Sequence, residues 1–272
     1  MGLEKRKNVG GRPSEGVLRK LTSGGSSAWS PSSKSGLLFW FDATNGVTKD
    51  GSDLVSQWDD RSGNGRHATA SGSDRPLWEG GQLNGRPGIY FDASNYMSFG
   101  SDNLFASGSE FCFWAVMQAE AGDETWYRTL VTIKSATTNR NFSALISNNT
   151  TTYGQLWWAY AGASPSSARA VAVASADYLT APARLVINYT GGDTEAAASW
   201  QAYRNGVGLT DAQAAGSASH TNSANRIGAW GTSPAPSFGW SGHIFEMGAY
   251  DSQLSDDERT ELAAYLAAKW GV

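Results

Sequence analysis

The sequence predicts an all-β sandwich or barrel closed by a single C-terminal helix. Roughly a dozen short apolar runs alternate with turns rich in Gly, Ser and Asn, the signature of many short strands. The 272 residues include 32 Gly and 12 Trp but only 17% charged residues. That composition suits tight turns and large aromatic core residues, not a helical protein. Helical periodicity is confined to the last residues of the chain. One large all-β domain of this length is ordinary, so length does not force a second domain.

The elements follow in order. Gly36 to Asp42 reads as a buried strand built on Leu37-Leu38-Phe39-Trp40-Phe41, and Asp53 to Trp58 as a short second one. Trp58 to Thr69 is dense in turn formers. Asp60, Ser62 and Asn64 can bond nearby backbone amides there, and Gly63 and Gly65 can take positive φ. An Asn84-Gly85 turn leads into a strand with Ile89 and Phe91 on one face. Residues 111–118 are the most hydrophobic strand, and further strands are expected near 129–134, 142–147, 154–160, 168–174 and 183–190. In the last of these, Leu185, Ile187 and Tyr189 alternate with Arg184, Val186 and Asn188. Asn205-Gly206 between two strand-like runs is a two-residue hairpin signal, and residues 224–230 form one more strand. Gly242 to Tyr250 is the final strand.

The helix is predicted over 256–270. Ser255 with Glu258 three residues on has the capping-box form. Asp256, Asp257 and Glu258 sit at the positive end of the helix dipole and Lys269 at the negative end. Leu262, Leu266 and Trp270 recur every fourth residue as one apolar stripe, with Tyr265 beside it. Gly271 stands where a left-handed residue ends a helix.

The charge is divided unevenly. Residues 1–36 carry seven basic and two acidic residues, a net of +5; the remainder carries 14 basic and 23 acidic, a net of −9. The first segment is Ser- and Gly-rich with Trp29 as its one aromatic residue, too little apolar surface to fold alone. It reads as a basic, flexible anchoring arm, with Val17, Leu18, Leu21 and Trp29 as the residues that would plug into a partner. No run is apolar and long enough to cross a membrane, and the N-terminus lacks the hydrophobic stretch of a secretory signal. The negative sandwich disfavours nucleic acid. Cys112, the single cysteine, lies in an apolar run and reads as a buried small hydrophobe.

Several stretches together resemble a known family. They are LLFWFDA (37–43), VSQWDDRSGNGRHAT (55–69), LNGRPGIYFD (83–92), AYRNG (202–206), RIGAW (226–230) and the closing segment from Gly242 to Gly271. Their order is similar to that of the concanavalin A-like, laminin-G-type jelly-roll modules of bacteriophage and prophage virion structural proteins. The resemblance covers about residues 36–272. It implies a two-sheet antiparallel jelly-roll sandwich over 37–272 behind the extended N-terminal arm. It also implies a non-enzymatic virion component of spike or fibre type, made in the bacterial cytoplasm. The arm (1–36) would attach it to other virion proteins, the sandwich would bind a host surface polysaccharide, and the copies would form a homo-oligomer. A head decoration or joining protein without a glycan ligand is the alternative, and a glycan-degrading enzyme the third.

Enzymatic chemistry finds little support in the residues. A glycosidase of this fold needs paired carboxylates on one strand. Asp193 and Glu195 alternate correctly but sit in a turn, and Glu246 is flanked at two-residue spacing by Ile244 and Gly248. No phosphate-binding loop, nucleophile elbow or Cys/His pair is present. Zinc has no support, because His67, His220 and His243 are widely spaced. Calcium could draw oxygens from Asp59, Asp60 and Asn64, although the same residues suffice to brace the turn, and the bracing role is the favoured reading; no cofactor is expected. Sugars stack on exposed aromatic rings, and the candidates in turn-like or alternating contexts are Trp126, Tyr127, Trp157, Trp230 and Trp240. Trp40, Trp114, Trp200 and Trp270 lie in apolar runs and are expected in the core.

Overall fold

In a computed structural model, the chain is described over residues 29–105, 109–120, 127–134, 141–147, 155–160, 168–171, 181–191, 200–209, 211–212, 224–230 and 238–272. The strands in chain order are β1 (Leu37–Asp42), β2 (Val47–Lys49), β3 (Val55–Trp58), β4 (Ala68–Thr69), β5 (Leu77–Leu83), β6 (Arg86–Asp92), β7 (Met97–Ser98), β8 (Phe111–Ala119) and β9 (Tyr127–Lys134). They continue with β10 (Asn141–Ser147), β11 (Gln155–Tyr160), β12 (Ala168–Val171), β13 (Ala183–Tyr189), β14 (Trp200–Arg204), β15 (Val207–Gly208), β16 (Asp211–Ala212), β17 (Arg226–Ile227) and β18 (Ser241–Tyr250), before helix α1 (Asp256–Trp270). One sheet runs β15-β14-β13-β8-β18-β6-β5, with β1 also paired to β18; the other runs β16-β12-β11-β10-β9-β17-β7-β4-β3-β2. All pairings are antiparallel. The fold is the predicted two-sheet sandwich with one terminal helix.

Two cores hold it. The larger lies between the sheets and is rich in aromatics, among them Phe39, Phe41, Trp58, Phe91, Phe113 and Trp240. The second lies between the outer face of the first sheet and α1, where Trp40, Trp114, Phe245, Leu262, Leu266 and Trp270 meet. Burying each of these large side chains contributes about 1.5–3 kcal/mol. Strand β13 shows both cores at once. Leu185, Ile187 and Tyr189 enter the first, while Val186 enters the second and Asn188 exchanges hydrogen bonds with the backbone of Leu254.

The turns and caps follow the sequence closely. Asn84-Gly85 and Asn205-Gly206 both have two consecutive positive φ angles, 49° and 70° and then 48° and 83°. This is the type I′ geometry that matches strand twist. Ser255 Oγ accepts from the Glu258 amide, and Glu258 accepts from the Ser255 amide in return. Gly271 takes φ 76° at the helix end.

The helix is held to the sheet by one buried carboxylate. The pairing of β18 with β8 slips between Ile244 and Glu246, so that two residues of β18 oppose one step of β8. This bulge turns both Phe245 and Glu246 toward the helix. Glu246 is 0% exposed. It accepts from Trp40 Nε1 (2.7 Å), Trp270 Nε1 (2.6 Å) and Tyr265 Oη (2.8 Å), and pairs with Lys269 Nζ (2.9 Å). Lys269 also reaches Asp42 (2.7 Å), which pairs with Arg61. Burial pushes the Glu246 carboxyl above its usual range, against the pull of the Lys269 ammonium.

The ordered contacts of the sandwich begin earlier in the chain than the sequence predicted. Residues 29–36, assigned there to the flexible segment, lie on the sandwich. The Trp29 ring meets Tyr265 edge-on at 5.8 Å, the Tyr250 hydroxyl donates to the Pro31 carbonyl (2.9 Å), and Lys34 pairs with Glu258 (2.9 Å). Trp29 is therefore engaged by its own domain. Val17, Leu18 and Leu21 fall outside the described residues.

Two predictions follow from these contacts. Glu246→Ala leaves the indole N–H groups of Trp40 and Trp270 buried without their acceptor and breaks one of the two ion pairs of Lys269. It is expected to cost about 3–5 kcal/mol in urea denaturation, as for a broken buried ion pair. The second concerns acid. Lys34 first, and then the Ser255 amide, hold the Glu258 carboxyl below its usual 4.5. The stability this contributes is present above pH 4.5 and is lost as pH falls through the lowered value. Unfolding curves between pH 3 and 6 should show that loss, and Lys34→Ala should reduce it.

Candidate functional site

The outer face of the first sheet is covered by α1 along only part of its length. Beyond Phe245, toward the start of β18, the face lies outside the core that α1 covers. Alternation along β6 places Ile89 and Phe91 in the core and Tyr90 outside. On β8, Met117 and Ala119 point inward and Gln118 does not. On β18, Ile244 points inward and His243 outward. His243 is the register partner of both Tyr90 and Gln118, so the three stand in one row across adjacent strands.

This row lines a cavity of about 380 Å³ together with Gln82, Ala119, Glu120 and Gly242. Gly242 forms part of its wall at φ 131°, and a Cβ there would fall 2.2 Å from the Gln118 carbonyl oxygen. Only glycine allows that approach of β18 to β8. The polar groups are tied together. The Tyr90 hydroxyl donates to Glu120 Oε2 (2.6 Å), as does Ser241 Oγ (3.0 Å). His243 Nε2 contacts Glu79 Oε2 (2.6 Å), and its ring lies against Tyr90 (5.2 Å) and stacks on Phe245 (5.7 Å, 12°). The Tyr90 hydrogen bond first, and then that of Ser241, hold the Glu120 carboxyl below its usual range, so it is charged at neutral pH.

An aromatic ledge stands at the same end of the sandwich. Trp230 and Phe238 lie with ring centroids 5.0 Å apart, and Phe238 is 39% exposed. Phe238 has φ 54°, a left-handed conformation costly for a bulky side chain, and strained residues of this kind cluster at functional sites. Two consecutive residues of β9 join ledge to cavity. The Thr129 amide donates to the Phe238 carbonyl (2.8 Å), and Arg128 Nη1 donates to the carbonyls of Glu120 (2.6 Å) and Ser241 (3.4 Å).

The residues singled out from sequence divide as follows. Trp230 stands on this ledge, half-buried. Trp240, expected at the surface, is 0% exposed in the inter-sheet core, because its neighbour Gly239 is pressed against the Ala93 backbone and draws the chain inward. Trp126 and the side chains of Tyr127 and Trp157 lie outside the described residues. Asp59, Asp60 and Asn64 are occupied by the loop. Asp60 accepts from the amides of Trp40, Ser62 and Arg66 and from Ser62 Oγ. Asn64 turns its amide hydrogens to the carbonyls of Leu37 and Leu38, and Asp59 meets Gln57 and His67. With every lone-pair position of Asp60 engaged, this set does not fit calcium. Among the described residues, no group of three or more His, Cys, Asp or Glu could hold a metal ion.

Tyr90, Gln118, Glu120, His243 and Phe238 were not singled out from sequence. Alternation marks Tyr90 and His243 as outward-facing, but nothing local brings residues 90, 118 and 243 together.

No family model matches the chain, and no curated protein matches it in sequence. Its likeness to solved structures is in fold. Domain 4 of the extracellular arabinanase AbnA from Geobacillus stearothermophilus, in complex with arabinotriose, matches 84% of this chain and 98% of its own length at 16% identity, with a TM-score of 0.52. Trypanosoma rangeli sialidase in complex with sialic acid matches 87% of the chain at 15% identity and a TM-score of 0.51; the chain spans 33% of that protein's length. The receptor binding domain of botulinum neurotoxin type G matches 85% of the chain and 51% of its own length at 13% identity, with a TM-score of 0.51.

One prediction concerns the cavity itself. Tyr90→Phe removes the first of the bonds that lower the Glu120 carboxyl. Its titration, followed by side-chain NMR, is expected to shift upward toward 4.5.

Proposed function

We propose that the sandwich is a non-enzymatic glycan-binding module, carried on a tailed phage, prophage or phage-like particle and anchored there through its N-terminal arm. The observation that carries the glycan reading is the pairing of a polar cavity with an aromatic ledge. Sugars present hydroxyls along their edges and C–H groups on their faces. A charged carboxylate, a phenol and amides meet the first, and a Trp–Phe surface meets the second. Small-molecule sites are concave, with a few convergent polar groups beside apolar walls. The use of the same fold with arabinotriose by the arabinanase domain supports the assignment.

The state of Glu120 and Glu246, among the described acids, supports binding without hydrolysis. A glycosidase needs one carboxyl kept protonated near neutral pH to serve as acid. Glu120 is held in the opposite direction. Glu246 is raised, but it is enclosed by Trp40, Tyr265 and Trp270, where no substrate reaches it. The virion setting draws its support from the sequence motifs, and the opposite charges of arm and sandwich suit attachment at one end and binding at the other. Weak contacts per module are multiplied by the copies on a particle.

Trp230→Ala and Phe238→Ala are each expected to weaken binding of the full chain to host surface polysaccharide about 10–100-fold, or ~1.4–2.8 kcal/mol, with thermal stability retained. Calorimetry or sedimentation checks this. No binding by the folded, multimerised protein would leave the purely structural role. Mass spectrometry of purified particles tests the virion assignment, and absence of the chain from them would end it.

A further inference from the structure

The cavity has a sign. Among the described residues, no Lys or Arg lines it. Glu120, Asp92 and Glu79 all act on the Tyr90 hydroxyl, which is pushed up to about 12, mainly by burial. Two basic groups act on Glu120, and each already has its own acceptor. Arg128 is wholly buried, with Nη1 on the carbonyls of Glu120 and Ser241. His243 is held by Glu79. Glu120 lies at the surface and uses Oε2 for both Tyr90 and Ser241, which leaves Oε1 without a donor among the described residues.

We propose that this cavity takes uncharged sugar residues and excludes acidic ones, with Glu120 Oε1 accepting from adjacent sugar hydroxyls. The inference rests on the glycan-binding reading and specifies its ligand. An ionised carboxylate accepts hydrogen bonds and donates none. It therefore selects donors, such as vicinal hydroxyls or the N–H of an acetamido group, and such charged bonds are stronger than neutral ones. A sialic or uronic acid residue would bring a second carboxylate beside Glu120, with no Lys or Arg among the described lining residues to pair with it. Discrimination then comes from repulsion of the wrong ligand as well as attraction to the right one.

The test is a printed array of neutral, sialylated and uronic acid-containing glycans, probed with the full chain at low and high salt. The expected result is saturable binding to neutral glycans and at least tenfold weaker binding to acidic ones at low salt. Added salt should narrow that gap by screening. Glu120→Gln should narrow it as well, by raising the acidic signal, at unchanged melting temperature. Acidic glycans bound as tightly as neutral ones by the unaltered chain would overturn this inference and leave the glycan-binding reading standing. Binding to neither class by a folded chain would overturn both. Trp230→Ala separates the two, because it should weaken every glycan without changing the neutral-to-acidic ratio.

Discussion

The structure turns on a carboxylate with no exposed surface. Glu246 lies beneath the helix where an isolated charge would be prohibitively costly. It is tolerated because Trp40, Tyr265, Trp270 and Lys269 all direct hydrogens toward it. Three of those donors come from the last turn and a half of α1, and the fourth from β1. One side chain of the central strand thus specifies where the chain's last element docks and in which rotation about its axis. The apolar stripe of Leu262, Leu266 and Trp270 supplies the area; the carboxylate supplies the register. A buried ion pair is weak as a source of net stability, and fixing a unique arrangement is its better-attested use.

The bulge at Phe245 makes this possible and also links the helix to the open end of the sheet. Without the extra residue, strict alternation would turn Glu246 into the inter-sheet core. With it, Phe245 and Glu246 share a face, and β18 changes partners at that point. Ser241 to Ile244 pair with β6, and Glu246 to Tyr250 pair with β1. The rings then run in series. His243 stacks on Phe245, Phe245 lies 5.5 Å from Trp270, and the Trp270 indole donates to Glu246. The wall of the candidate cavity is braced by the same contacts that seat the helix, so a ligand there meets a surface held from behind.

The fold was legible because its signals are local. Asn-Gly pairs, a capping box, period-four apolar spacing and alternation in β13 each act within a few residues, and each appears as read. The boundary of the arm was placed too late because Trp29, Pro31 and Lys34 gain their partners from Tyr265, Tyr250 and Glu258, more than 200 positions on. The site was less legible for the same reason. Trp230 could be chosen by its context, but an identical argument selected Trp240, and only the backbone path past Ala93 sends that ring inward. Asp60 and Asn64 show the converse. Their loop chemistry was sufficient to explain them, and they brace the turn.

What the fold leaves open, the side chains of one end begin to specify. Two-sheet sandwiches host many functions, and a likeness at 13–16% identity carries the architecture alone. Selection among ligands would fall to the residues on the strands that α1 leaves uncovered. The cavity there is lined by a phenol, two amides, an imidazole and one carboxylate, with the Arg128 guanidinium turned to backbone carbonyls beneath them. A cavity this open gives a single module little affinity, because few groups are desolvated on binding. Its polarity is better suited to choosing among ligands than to gripping one. On this reading selectivity resides in the side chains that the sandwich presents around the cavity.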